Sequence, residues 1–313
     1  MTTLSPAHPV RHRPRRSYSA IPGETPGSPP WRALKSLILL ICVVLVLLPF
    51  LAIISTSLAD TGQVTRAGGY VLWPDNPSWS AYSALLSGGL VSKAMLVSVG
   101  ITVAGTALSL VCSIMLAYGL SRPGSFGHRP VLLMLLMTML FAPGVIPSYL
   151  MVKQLGLINS YWSLILPTMI NAFNVIVLRS FFMSIPKELL DSARIDGASE
   201  TTILTRIVLP LSKAAVAVIG LFYAVTYWNA FFNALLYIND ASKWPMQLVL
   251  RTYVVNNAAL SGGQVDVAAG APLPPAQSLQ AAILVLSIVP IVIVYPFLQR
   301  HMNKGVMVGA VKG

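Results

Sequence analysis

The sequence predicts an all-α membrane protein with six transmembrane helices, and three observations lead to this prediction. Apolar residues make up 55% of the 313 residues, and charged residues make up only 10%, far below the roughly 25% of a soluble domain. The mean hydropathy is +0.73. Six stretches reach the length of about 20 mostly apolar residues that a membrane-crossing helix needs; they are residues 34–58, 92–120, 130–151, 161–183, 213–236 and 278–298.

The segment that precedes the first span has a different composition. Residues 1–30 contain seven prolines together with Arg11, Arg13, Arg15 and Arg16, and they show no apolar periodicity. Such a segment cannot bury enough apolar surface to offset the entropy of ordering. We therefore predict a disordered arm over residues 1–30 and a membrane domain over residues 31–313. Within the third span, Pro143, Gly144 and Pro147 predict a kinked helix that is followed by an interfacial segment.

The distribution of Lys and Arg predicts the orientation of the spans. If the N-terminus lies in the cytoplasm, 16 of the 21 basic residues fall on the cytoplasmic side, in the arm, the C-terminal tail, the inner loops and the inner ends of the spans, and 5 fall on the outer side. Cytoplasmic loops carry the excess of basic residues in membrane proteins. Both termini are therefore predicted to be cytoplasmic, with inner loops at 121–129 and 184–212 and an outer loop at 237–277.

The sequence lacks the usual signatures of catalysis and of metal binding. There is no G-x-x-x-x-G-K-[ST] motif for nucleotide phosphates. The four histidines are scattered over the tails and loops, and none of the predicted spans contains Asp or Glu. An acidic residue inside a span would indicate a proton or ion relay. We therefore predict no catalytic residue, no metal site and no cofactor in this chain, and we expect any energy for its work to come from elsewhere.

The inner loop over 184–212 is the most informative segment. Pro186 can open a helix, and acidic Glu188 suits the positive end of its dipole. Gly197 is expected to end this helix, and a second short amphipathic helix is expected to run on to Pro210. The predicted face of the first helix consists of Leu189, Ala193 and Asp196, and that of the second of Ile203, Ile207 and Val208. This pattern favours an element that docks onto another protein; the alternative is an ordinary interfacial loop.

At this segment the chain resembles the permeases of ABC importers. Their inner-loop signature has the spacing E-A-A, three residues, G, nine residues, I-x-L-P. Here Asp191-Ser192-Ala193 is followed at those spacings by Gly197 and by Ile207-Val208-Leu209-Pro210, with Asp in place of Glu and Ser in place of the first Ala. Residues 116–122, 194–198 and 305–313 resemble the sugar-importing branch. Trp228-Asn229 and residues 295–299 resemble its subgroup for oligo- and polysaccharides. The resemblance covers everything except the N-terminal arm.

The resemblance implies a transport subunit of the bacterial cytoplasmic membrane rather than an enzyme. Such a chain pairs with a second, related permease and with two cytoplasmic ATPase subunits, which hold ATP and Mg²⁺, while an extracytoplasmic binding protein delivers the carbohydrate. The loop over 237–277 would face the binding protein. The residues implied to couple the chain to the ATPases are Glu188, Leu189, Asp191, Ser192, Ala193, Asp196, Gly197, Ile207, Leu209 and Pro210. The alternative is a self-contained secondary carrier or channel for small polar solutes, which would transport without ATPases.

Polar and aromatic residues in the fourth and fifth spans are candidates for the substrate pathway. On a helix, Thr226, Asn229 and Asn233 fall within about 60° of one another. Amide hydrogen bonds and aromatic faces suit hydroxyl-rich sugars. The other candidates are Tyr223, Tyr227 and Trp228 in the same span and Asn171 and Asn174 in the fourth span. The alternative is that these residues hold helices together or lie in the interfacial aromatic belt.

The second span carries a stripe of small residues for which we predict helix packing rather than a pore surface. The stripe consists of Ser98, Thr102, Gly105, Thr106, Ser109, Cys112 and Ser113. Arg179, near the inner end of the fourth span, is expected to extend to the lipid headgroups.

Overall fold

The computed structural model describes residues 29–87, 89–122, 124–125, 127–255 and 274–309, and over these residues it is helical without a β-strand. Most of the predicted N-terminal arm lies outside the described residues, and its last two positions already belong to the first helix. The helices are α1 Pro29–Leu58, α2 Thr61–Arg66, α3 Ser80–Leu86, α4 Leu90–Ser121, α5 His128–Leu140, α6 Val145–Gln154, α7 Trp162–Ile165, α8 Ala172–Met183, α9 Lys187–Ile195, α10 Glu200–Ile203, α11 Leu209–Leu211, α12 Lys213–Trp228, α13 Phe231–Tyr237, α14 Met246–Leu250 and α15 Ala276–Gly309.

The chain divides into two compact units, Met1–Phe50 and Leu51–Gly313. The described part of the first unit is the beginning of α1, an unbroken apolar helix that accommodates Pro49. The helices from α2 to α15 lie within the second unit.

Three helices in the described residues are long and apolar enough to cross a membrane, namely Pro30–Leu58, Leu90–Ser121 and Ala276–Pro296. Two further pairs pass the same test as broken spans: Trp162–Thr168 with Ala172–Met183, bent by 51°, and Glu200–Leu211 with Lys213–Trp228, bent by 85°. The polytopic all-α prediction is thereby confirmed, whereas the count of six spans and the orientation stay predictions.

The predicted third span is interrupted where its sequence suggested. Helix α5 ends at Leu140, and α6 begins only at Val145, after Gly144 with a φ of 79°. Because Pro143 cannot donate a backbone hydrogen bond and disfavours a helical residue before it, the α5 helix cannot continue through this point. The interruption predicted from Pro143, Gly144 and Pro147 is therefore confirmed.

Helix α4 packs its small residues against α12 and α8. A β-carbon placed on Gly105 would lie 2.8 Å from the ring of Tyr227, so only glycine permits this approach. The buried polar side chains Ser98, Ser109 and Ser113 share the same face of α4. The predicted packing role of the small-residue stripe is confirmed. At the end of α4, the Arg179 Nε donates to the Leu120 carbonyl oxygen over 2.8 Å, so this arginine satisfies a helix terminus and does not simply extend towards headgroups.

A second apolar cluster joins α3, the beginning of α4, α14 and α15, with Leu85, Val91, Met246, Val249 and Ile283 in its centre. Within the predicted loop over 237–277, residues 246–255 are helical, and Met246, Leu248, Val249 and Tyr253 are buried. The Met246 backbone N–H donates to the Ser98 hydroxyl over 2.7 Å, which fixes α14 to α4. The glycines at 262–263 lie outside the described residues.

Candidate functional site

Helix α9 begins after Pro186 and ends where the sequence predicted. Gly197 has a φ of +81°, a conformation that residues with a β-carbon disfavour. Its N–H donates to Arg194 O over 3.0 Å, and the Ala198 N–H donates to Ala193 O over 2.9 Å. These two bonds form a Schellman motif, which satisfies carbonyls that the helix end would otherwise leave unpaired. Helix α9 ends at Ile195, and Asp196 is its C-terminal cap residue. The Asp196 N–H still donates to the Ser192 carbonyl over 3.0 Å, and the shared face of Leu189, Ala193 and Asp196 stays a prediction.

The candidate coupling residues divide into an exposed set and a set packed against the helix bundle. Ala193, Ile207 and Leu209 are half-buried and contact the main core. The exposed set consists of Glu188, Leu189, Asp191, Ser192, Asp196, Gly197 and Pro210. Ile195, which the sequence analysis did not single out, stands 87% exposed beside them. A short helix that presents Leu189 and Ile195 to its surroundings has the composition of a contact surface.

The predicted second helix of the loop consists of three joined segments. Ser199 caps α10 by accepting from the Thr202 N–H over 3.3 Å; a π-turn, Leu204–Val208, follows and leads into α11 with Pro210 in its first turn. Ile203 and Val208 are buried. The helix through Ile203, Ile207 and Val208 to Pro210 is thus confirmed, and the bend at Ser212 directs the chain into α12.

A polar cluster connects this loop to the end of α4. The Glu200 Oε1 accepts from Arg194 Nε and Nη2 over 3.1 and 3.0 Å. The Glu200 Oε2 accepts from the Tyr118 hydroxyl and lies 3.8 Å from Arg122 Nη2. Arg194 Nη1 also bonds Asp191 Oδ1 over 3.1 Å. The hydrogen bond and the charge of Glu200 raise the pKa of the Arg194 guanidinium above its ordinary value.

Nothing in the sequence pattern predicted this cluster. Tyr118 and Arg122 stand four residues apart in the last turn of α4, a spacing that places them together, and Glu200 opens a helix capped by Ser199. These signals are local. The contact between Tyr118 and Glu200 joins positions 82 residues apart, and the periodicity of apolar residues gives no information about contacts at that separation.

The candidate pathway residues of α12 lie on two different faces. Tyr223 and Tyr227 are almost fully buried, and their hydroxyls bond Ser113 over 2.6 Å and Ser109 over 2.7 Å. The Trp228 indole N–H donates to Ser287 O over 3.0 Å. In the described chain these three side chains serve the packing of α12 against α4 and α15.

The other candidates on α12 and α13 remain accessible. Thr226 and Asn229 are exposed and Asn233 is half-buried. Phe222 lies one turn before Thr226, and its ring is 6.4 Å from that of Phe173 on α8. Both phenylalanines are among the exposed large apolar residues. We call the surface formed by Phe173, Phe222, Thr226 and Asn229 the α12 polar–aromatic face.

The two asparagines of α8 have local roles. The Asn171 side-chain oxygen accepts from the Asn174 N–H over 3.2 Å and caps the helix, and the Asn171 N–H donates to the Tyr223 hydroxyl over 3.1 Å. Asn174 is buried, whereas Asn171 is exposed. Among the described residues there is no group of three or more His, Cys, Asp or Glu that could hold a metal ion.

Comparisons with known proteins agree on one family. Residues 109–308 match the model of the binding-protein-dependent transport system inner membrane component family. The chain is 46% identical over 274 residues to the polygalacturonan/rhamnogalacturonan transport system permease protein YtcP of Bacillus subtilis strain 168, covering 88% of this chain and 94% of that one. It is 44% identical to protein LplC of the same organism, covering 85% and 90%.

A solved structure shows the same architecture. A chain of a bacterial ABC transporter involved in the import of the acidic polysaccharide alginate superposes with a TM-score of 0.79 at 30% identity, covering 88% of this chain and 99% of that chain.

Proposed function

Because the chain belongs to the family of inner-membrane components of binding-protein-dependent transport systems, we propose that it forms half of the translocation pore of an ATP-driven importer for oligo- or polysaccharides. It is a permease component of the cell membrane. Its relatives include a permease for polygalacturonan and rhamnogalacturonan and a transporter for alginate. Since all three polymers are acidic, an acidic oligosaccharide is the substrate class to test first.

In this proposal the energy comes from partner subunits. Two ATPases hold ATP and Mg²⁺ and hydrolyse the nucleotide, a second permease completes the pore, and an extracytoplasmic binding protein delivers the sugar. The chain itself supplies a path across the membrane and a surface that receives the motion of the ATPases. It therefore has no catalytic residue of its own.

The observation that carries the coupling role is the exposed helix α9. Its apolar residues Leu189 and Ile195 are exposed, while the neighbouring Leu190 is buried against the core. The Schellman motif at Gly197 sets where α9 ends and the direction in which the chain leaves it. A short, rigid and amphipathic helix with its outer side unpacked can transmit a displacement from a partner to the bundle.

The coupling role is tested in the assembled transporter with two variants of one residue. Gly197→Val forces a branched side chain into the left-handed region, whereas Gly197→Asn places there the residue that tolerates this region best after glycine. No atom lies within 4 Å of a β-carbon at this position, so the two variants differ in backbone strain and not in a clash. The measurement is ATP turnover in proteoliposomes with and without the loaded binding protein.

We expect Gly197→Val to lower the stimulated turnover about fivefold or more, and Gly197→Asn to retain most of it. Both variants should insert into the membrane at the level of the unmodified chain. Full stimulation in Gly197→Val would contradict the coupling role of α9. Uptake by the permeases in the absence of ATPases would instead support the self-contained carrier.

For the substrate pathway we propose the α12 polar–aromatic face together with Asn171 and Asn233. Aromatic rings can pack against the CH faces of a sugar, and the hydroxyl and amide groups can exchange hydrogen bonds with its hydroxyls. Uptake of radiolabelled trigalacturonate and of maltotriose tests both the class and the charge of the substrate. Preferential uptake of trigalacturonate supports an acidic oligosaccharide as the substrate. If neither sugar is taken up, the substrate belongs to a different class.

A further inference from the structure

We propose that Glu200 is a positioning residue that joins the loop over 184–212, which we call the coupling loop, to the end of α4. A displacement of α9 would then reach the α4–α12 interface. This inference rests on the proposed function of the chain as an ATP-driven permease. It assigns a role to a residue outside the signature spacing that the inner loop follows.

The two oxygens of the Glu200 carboxylate contact two different helices. One oxygen of Glu200 is bonded by Arg194 of α9 over 3.1 and 3.0 Å. The other oxygen accepts from Tyr118 of α4 and lies 3.8 Å from Arg122 Nη2. Each oxygen therefore serves a different element, and the carboxylate bridges the two.

The donors on both sides are held in place by their own elements. The Arg122 guanidinium carbon lies 4.5 Å from the centre of the Tyr118 ring, and its Nη2 donates to the Tyr118 hydroxyl over 2.7 Å. The Arg122 side chain is only 17% exposed. On the other side, Asp191 orients Arg194 from the preceding turn of α9. Because each donor is already restricted, the bridge has a defined geometry and differs from an isolated surface pair.

The end of α4 is a suitable point of entry into the bundle. The same helix bonds α12 through Ser113 to Tyr223 and through Ser109 to Tyr227, and its Leu120 carbonyl accepts from Arg179 of α8. A force applied to Tyr118 is thus applied to a helix that already holds two neighbours. Leu190 and Ala193 still pack α9 against the bundle without Glu200, so its removal is expected to loosen the orientation of α9 without unfolding it.

The test uses the assembled transporter with Glu200→Gln, Tyr118→Phe and the double variant. Asp75→Asn is the matched control, because it removes the same charge from the segment before α3. Copurification with the ATPases shows assembly, and ATP turnover stimulated by the loaded binding protein shows coupling. We expect unchanged copurification, a loss of stimulation of about fivefold or more in Glu200→Gln, and no further loss in the double variant, since residues that act through one contact are not additive.

A distance measurement separates positioning from a general loss of structure. Nitroxide labels at Lys187→Cys on α9 and Met115→Cys on α4, in a chain with Cys42 and Cys112 replaced by Ala, report the orientation of α9. Glu200→Gln should broaden this distance distribution, and Asp75→Asn should leave it narrow. A narrow distribution and full stimulation in Glu200→Gln would overturn the inference, as would an equal loss in Asp75→Asn.

The outcomes also separate this inference from the proposed function. If Gly197→Val uncouples the transporter and Glu200→Gln does not, the coupling role stands and only the bridge is wrong. If the unmodified chain shows no ATPase stimulation by the binding protein, the proposed function itself fails.

Discussion

The buried and the exposed faces of α12 carry related side chains in different surroundings. Tyr223 and Tyr227 turn their rings and hydroxyls into the bundle, where serines of α4 bond them. Phe222 and Thr226, one position earlier in each case, are exposed. Polar and aromatic composition alone therefore does not identify a pathway surface in a membrane helix, because the same chemistry also holds helices together. The neighbouring helix decides between the two roles.

The largest effect on stability is expected where α4 and α12 approach most closely. Gly105→Ala places a methyl group 2.8 Å from the Tyr227 ring and should lower the free energy of unfolding by about 1–3 kcal/mol through overpacking. Gly100→Ala on the same helix is the control, because no atom lies within 4 Å of its β-carbon. Unfolding of the purified chain in detergent measures both. Equal stability of the two variants would mean that the buried face is not tightly packed.

A smaller effect is expected from the hydroxyl bonds of that face. Tyr227→Phe removes bonds to Ser109 over 2.7 Å and to the Ile165 carbonyl over 3.3 Å, and hydrogen bonds of this kind in membranes are worth about 0.6 kcal/mol on average and about 1.7 kcal/mol at most. Ser109→Ala should lower the free energy of unfolding less than Tyr227→Phe, because it removes only the Ser109–Tyr227 hydrogen bond. A double-mutant cycle of the two substitutions measures their coupling. Strictly additive losses would indicate that the Ser109–Tyr227 bond contributes nothing.

The smallest change in stability is expected on the exposed face. Thr226→Val keeps the shape of the side chain and should change the free energy of unfolding by less than about 0.5 kcal/mol. Uptake should nevertheless fall by about two- to tenfold, the effect of one lost neutral hydrogen bond to substrate. Thr226→Ser retains the hydroxyl and should transport like the unmodified chain. If Thr226→Val unfolds more easily and transports normally, the assignments of the two faces are reversed.

Local signals predicted the coupling loop well. Pro186, the acidic residue at 188 and Gly197 define the beginning and the end of α9, and the structure confirms both. The small-residue stripe of α4 was likewise predicted correctly, because a spacing of three and four residues on a helix is sufficient to recognise a packed face.

Averages over long segments were less informative. The loop over 237–277 is polar as a whole, and this average concealed the apolar segment that forms α14 and buries Met246 and Val249. The contact of Met246 with Ser98 spans 148 positions. A short apolar run within a polar loop can be recognised as buried only when its partner helices are known.

Composition and the local signals around Gly197 were enough to predict an all-α membrane protein and the helix that ends before Gly197, because these properties depend on each residue's own preference for lipid, water or helix. The spacing of residues 191–210 added the resemblance to a transport permease. Which polar residues of α12 face the bundle, how Glu200 bridges α9 and α4, and where α14 packs depended on the tertiary structure. Those arrangements follow from contacts between positions far apart in the chain, and hydropathy does not distinguish a polar group buried against a neighbouring helix from one that faces a pore.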